Sequence, residues 1–154
     1  MSGVVGGAGS KSGVIGQTEI DYEEGTYTPS FYGTSGGPSG VSFATRIGAY
    51  TKVGNLCTAF IHINISSWSS GGSGDLIISL PFTMVGSYPA SVSVGYSTNF
   101  VATDAPCSGY IASGWNYMKM VRHGGSDARS DLESYCNADS GGNEEVMVQA
   151  TFRV

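Results

Sequence analysis

Val146, Val148, Ala150, Phe152 and Val154 alternate without a break with Met147, Gln149, Thr151 and Arg153. A period of two puts one set on each face of an extended strand, so this segment can bury only its valine-rich side. The same period runs through Leu56–Ser66, where Ile61, Ile63 and Ile65 alternate with His62, Asn64 and Ser66. Leu56, Thr58 and Phe60 fall on the face opposite Ile61, which predicts a phase slip, either a bulge near Phe60 or burial of both faces. Shorter apolar or alternating runs occupy 41–46, 49–53, 76–80, 90–101 and 110–122, and 19–32 reads as an acidic, aromatic edge strand closed by Pro29.

Glycine separates these runs. There are 24 in 154 residues, about twice the usual share of ~7 %. Strong helix formers are scarce, and Gly-Ser stretches at 33–40 and 67–74 read as loops, as does the long polar segment 124–142. Seven to nine strands and no helical period define an all-β chain, expected as a β-sandwich or jelly-roll. Its domain spans residues 19–154, preceded by an extended glycine-rich arm over residues 1–18. A chain of this length can bury a real core without disulfides or metals, and the three cysteines, Cys57, Cys107 and Cys136, lack metal or redox spacing.

Charge narrows the partners. Seven Lys and Arg stand against twelve Asp and Glu, for a net charge of −5. Nucleic-acid binding needs clustered cations to displace phosphate counterions, so nucleic acid is not an expected partner. No apolar run reaches the ~20 residues of a membrane-spanning helix, and the first ten residues lack the features of a signal peptide. Synthesis in a cytoplasm, with no membrane partner, is the expectation.

Glycines interrupt the arm too often for a helix, yet it carries Val4, Val5, Val14 and Ile15. Small residues with apolar studs suit close docking along a groove of another subunit, against the alternative of an unbound terminus. Gly33-Thr34-Ser35-Gly36-Gly37 matches the spacing of a nucleophile elbow, but Pro38 and further glycine follow where that chemistry needs a helix. His62 reads as a surface or interface residue, and His123, Ser126 and Asp127 as a loop rather than a triad. No catalytic residues and no cofactor are assigned, and the chain is not expected to be an enzyme. Carboxylates crowd 127–145, including Asp127, Asp131, Glu133, Asp139, Glu144 and Glu145, without ordered calcium-loop spacing; a solvated loop is expected there, with calcium the alternative and no metal site assigned. Trp68, Trp115 and Tyr117 divide between core packing and a platform for sugar rings, Trp68 being the one placed in an open Gly-Ser loop.

Ser12-Gly-Val-Ile-Gly16 followed by Asp21-Tyr-Glu-Glu-Gly-Thr-Tyr-Thr-Pro29 resembles a segment of bacteriophage virion surface proteins, in which an S-G-x-I-G arm precedes a DYEEGT-aromatic-TP start to a β-domain. Gly48-Ala-Tyr-Thr-Lys-Val-Gly-Asn55 is similar to the family's G-x-Y-T-K-x-G-N, and Ser79-Leu-Pro-Phe82 to its short LPF segment. These landmarks cover the first half of the chain only. The resemblance implies a virion location, assembled in the host cytoplasm. It further implies a homotrimeric capsid decoration (cement) protein that bridges the major capsid protein or other virion proteins and stabilises the shell. The alternative it implies is a tail-fibre or receptor-binding module for host glycans.

Overall fold

The computed structural model describes residues 21–69, 72–100, 105–124, 127–129 and 143–154. Ten strands follow in order: β1 (Tyr22–Tyr27), β2 (Phe31–Gly33), β3 (Ser42–Val53), β4 (Leu56–Ser67), β5 (Leu76–Ser79), β6 (Ala90–Thr98), β7 (Pro106–Ile111), β8 (Tyr117–Gly124), β9 (Asp127–Arg129) and β10 (Glu145–Arg153). Among the described residues there is no helix. The expected arm residues Val4, Val5, Val14 and Ile15 lie outside the described residues, as does Cys136.

All pairings are antiparallel, and the strands form one sheet in the order β1-β3-β4-β10-β6-β7-β8-β5-β2, with β9 added to β8. The all-β expectation holds. The architecture is a single continuous sheet rather than the two packed sheets expected of a sandwich. Its curl follows from chain connectivity. β1 and β2 occupy opposite ends of the order, yet only Thr28, Pro29 and Ser30 separate them. Nine strands laid flat at about 4.8 Å spacing would hold their ends roughly 38 Å apart, whereas the link from Tyr27 to Phe31 reaches at most about 14 Å. The sheet must therefore bend until its ends meet.

The concave face becomes the core. Cys57, Ala59, Ile61, Ile63 and Ile65 of β4 line it with Val146, Val148, Ala150 and Phe152 of β10. Leu76 and Ile78 of β5, Met118 and Met120 of β8, and Phe31 of β2 close it from the other half of the sheet. The C-terminal alternation is thus preserved intact. The slip expected at Phe60 does not occur: β4 pairs with β10 in unbroken register from Asn64 to Leu56. Leu56 and Phe60 instead face outward and stay half exposed, and their apolar character belongs to an outer surface described below.

Three further expectations change. The two strands read at 41–46 and 49–53 are one twelve-residue strand, β3, whose irregular register lies at Phe43–Thr45 rather than at Gly48. The segment read as one strand over 110–122 is the end of β7, a turn and β8; Ala112 O accepts from Trp115 N at that turn. A short strand, β9, stands in the polar segment read as a loop. Gly95 is the extra residue of a bulge in β6, where Met147 pairs with Tyr96 and Val148 with Val94.

Side chains seal the seam where the sheet's ends approach. Tyr27 Oη donates to the Ser79 carbonyl (3.3 Å), Ser79 N to the Ser30 carbonyl (3.0 Å), and the Tyr50 ring meets Phe82 edge-on at 5.0 Å. Gly48 is buried because the Tyr27 ring lies on it, and a Cβ there would overlap that ring. Gly48→Ala should therefore cost about 1–3 kcal/mol. Its combination with Tyr27→Ala should lose less than the sum of the single losses, measured by denaturant unfolding.

Candidate functional site

Three surfaces carry unusual chemistry. The first is an aromatic strip on the convex face of β7 and β8. Inward Met118 and Met120 send their neighbours Tyr117 and Lys119 outward, and Tyr110 pairs across to Lys119. The turn between the strands then folds Trp115 over them. Trp115 stacks on Tyr117 with centroids 4.6 Å apart and planes 21° apart, and Tyr110 meets Trp115 at 5.5 Å. Lys119 Nζ lies 5.8 Å from the Trp115 centroid and donates to Asp75 Oδ2 at 2.6 Å. That hydrogen bond is the main reason the Lys119 ammonium holds its proton above its ordinary value, against the opposing effect of burial. The result is a half-exposed apolar plane bordered by a paired cation and carboxylate.

The second surface is a cleft of about 600 Å³ at the seam. Phe31 and Tyr32 of β2, with Ser30, Gly37 and Pro38 of the flanking loops, form one wall; Phe43 and Arg46 of β3, with Val41 just before it, form the other; Ser79 and Asn116 also line it. Asn116 links the two surfaces, since it stands in the chain between Trp115 and Tyr117. Its carbonyl accepts from Leu80 N at 2.8 Å, which fixes the turn against the strand end after β5.

The third is the convex face of β3, β4, β10 and β6, where an apolar hollow of about 420 Å³ opens. Register places Ile47, His62, Met147 and Tyr96 in one row across the strands, and Ala49, Phe60, Gln149 and Ser93 in the next. Ile47 and Phe60 are each 50 % exposed. His62, expected at a surface or interface, lies in this face and shares a 2.6 Å hydrogen bond between Nε2 and Glu145 Oε1.

Of the aromatic candidates, Trp115 and Tyr117 come together and Trp68 does not join them. Like Trp115, Trp68 is half-buried and packs against the core, with its ring 6.4 Å from Phe31. The Gly-Ser loop is not open at that point, because Ser69 N donates to the Ser39 carbonyl at 2.9 Å and draws it onto the loop beyond β2. Arg46, Phe43 and Asn116 escaped sequence reasoning. Arg46 sits on the row that faces inward at Gly48 and Tyr50, which becomes legible only once β3 is seen to run unbroken through Gly48. Asn116, between two aromatics, carried a readable signal.

Ser35 of the Gly33–Gly37 match donates its backbone N–H to Ser73 O at 3.2 Å, in a loop that no helix follows. The side chains of His123 and Asp127, Ser126, and the carboxylates Asp131, Glu133 and Asp139 lie outside the described residues. Glu144 is fully buried, and neither carboxylate oxygen has a hydrogen-bond partner among the described residues. Within those residues no three His, Cys, Asp or Glu side chains gather as metal ligands.

No protein-family model matches the sequence, and no curated protein matches it. Among solved structures, the fold is similar to that of the Dettilon tailspike protein (gp208), with a TM-score of 0.67 and 19 % identity. The similarity covers 86 % of this chain and 24 % of the tailspike, so the chain spans about a quarter of that protein's length. At this identity the likeness establishes the all-β fold.

Cys57 lies in the core with its thiol pushed up to about 11, chiefly by burial, while Cys107 is exposed. A thiol reagent at pH 7.5 should label Cys107 quickly and Cys57 only after unfolding, because the thiolate is the reactive form; peptide mass mapping reads both sites.

Proposed function

We propose that this chain is a β-domain of a phage virion structural protein, tail-associated, which binds host-surface glycans and acts without catalysis. The observation that carries the reading is the stacked Trp115–Tyr117 pair with Tyr110 alongside and Lys119–Asp75 at its edge. A sugar ring presents an apolar C–H face and a polar rim. A flat aromatic plane bordered by a charged donor and acceptor complements both, and aromatic rings in binding surfaces combine large contact area with directional hydrogen bonding. The fold likeness to a tailspike protein supports a place on the tail, and the resemblance of the first half of the chain to phage virion surface proteins supports a place on the particle.

Capsid decoration draws its support from the arm residues Val4, Val5, Val14 and Ile15. The structural likeness points to a tail protein instead, and the tail-associated reading is preferred for that reason.

The domain works as a homo-oligomer, which the sequence resemblance puts at three copies, with the convex β3-β4-β10-β6 face against a second copy. A contiguous apolar surface of this kind is uncommon on a monomer. Glu145 at its margin is hydrogen-bonded to His62 of the same chain. Copies bearing a net charge of −5 would therefore meet where their like charges are fewest.

Trp115→Ala should weaken binding to host surface polysaccharide about tenfold or more, and Tyr117→Ala somewhat less, the loss of one aromatic face being worth roughly 1–2 kcal/mol. Isothermal titration against purified polysaccharide measures this, with Trp68→Phe as the control that leaves affinity unchanged. Wild-type affinity in Trp115→Ala would refute the assignment.

A further inference from the structure

We infer that the seam cleft is an acid-sugar subsite in which Arg46 receives the carboxylate of a uronate or sialate unit; the inference rests on the glycan-binding reading and names the ligand class. Arg46 pairs with Ile63 of β4, a fully buried residue of the concave face. An arginine on that row is anomalous, because the neighbouring positions of the same face hold Gly48 and Tyr50. It escapes burial only because the sheet's ends do not hydrogen-bond to each other here, and the cleft admits solvent to its side chain.

Both described lysines are paired with carboxylates. Lys52 lies 2.7 Å from Asp21 Oδ2 and Lys119 2.6 Å from Asp75 Oδ2. Arg46 has no carboxylate partner among the described residues. Its guanidinium carbon instead lies 4.5 Å from the centroid of the Phe43 ring, which holds the planar fork in place while leaving its N–H edges open. A fork of that shape takes a carboxylate through two parallel hydrogen bonds, and the stacking reduces the freedom lost on binding.

The rest of the lining suits a sugar bearing that carboxylate. Tyr32 and Pro38 offer apolar ring faces, and Ser79 and Asn116 offer a hydroxyl and an amide at the far end. The Ser79 Oγ already accepts from Ser30 N at 2.7 Å, so its own hydrogen remains for a ligand oxygen. Asn116 joins the cleft to the aromatic strip, so one oligosaccharide can place an acidic unit at Arg46 and a neighbouring unit on Trp115. Neutral glycans would gain only the strip. In a chain of net charge −5, attraction of an acidic glycan must come from such a local site, because the overall field opposes it.

The test uses a panel of uronate- and sialate-bearing oligosaccharides, each paired with its carboxyl-reduced form, titrated calorimetrically against the full chain. The acidic form should bind at least tenfold more tightly for at least one pair, and 0.5 M salt should shrink that advantage. Arg46→Gln should abolish the advantage while leaving the melting temperature and the affinity for the reduced sugar unchanged. Trp115→Ala should weaken both forms of the pair alike. Equal affinity for acidic and reduced forms throughout the panel, or an advantage that survives in Arg46→Gln, would overturn the acid-sugar subsite and leave the aromatic strip standing. Absence of binding to every sugar of either kind would overturn the glycan reading together with the subsite.

Discussion

Three residues, Thr28, Pro29 and Ser30, tie the two ends of the sheet together, and the rest of the molecule depends on that tether. Without it the strand order would allow an open, twisted sheet with two solvated faces. With it, the inner row of β4 must meet that of β5 and β8, so one face of every long strand becomes core. Pro29 is buried in the link, and its fixed φ removes freedom that a three-residue connection between opposite edges would otherwise have to lose on folding.

The segments that resemble phage surface proteins converge on this closure. The DYEEGTYTP stretch supplies β1 and most of the tether, GAYTKVGN supplies the end of β3 and its hairpin to β4, and SLPF runs on from the last residue of β5. Tyr27 lies over Gly48, Tyr50 meets Phe82, and Tyr27 reaches the Ser79 carbonyl. Residues far apart in sequence thus meet at one seam, so the resemblance marks how the sheet is shut rather than where a ligand binds. This also explains why it ends at Phe82. The later strands fill the middle of the sheet, where any alternating apolar pattern of suitable volume serves.

Strand content and the inward rows of β4 and β10 were legible because burial of one face writes a period of two into the sequence. Phe60 misled for the opposite reason. An apolar residue on the outer face reads as a break in phase unless an exposed apolar surface is admitted. The single curled sheet was not legible, since pairing partners and sheet ends are set by long-range contacts that local pattern does not encode. In the site, Trp115 and Tyr117 were readable as aromatics but not as a stacked pair, because the turn at Ala112–Asn116 that stacks them was read as the interior of a strand. Trp68 looked exposed from its glycine-serine neighbours, and only the contact with Phe31 shows that it packs inward. Arg46 carried no local signal, its significance being the row it occupies.

The division of surfaces gives the domain its logic: a concave core, a convex apolar face suited to another copy, and an aromatic strip beside a cleft suited to sugar. The central claim is that ligand meets the protein at the strip and seam. Mapping backbone and indole amide shifts by NMR, as oligosaccharides from a host surface polysaccharide are added, tests it most directly. The account predicts that the largest changes fall at the Trp115 indole, Asn116, Tyr117 and Tyr110, with convex-face residues such as Phe60 and Met147 unmoved. Saturable changes centred on Phe60, Met147 and Ile47 with none at Trp115 would contradict it.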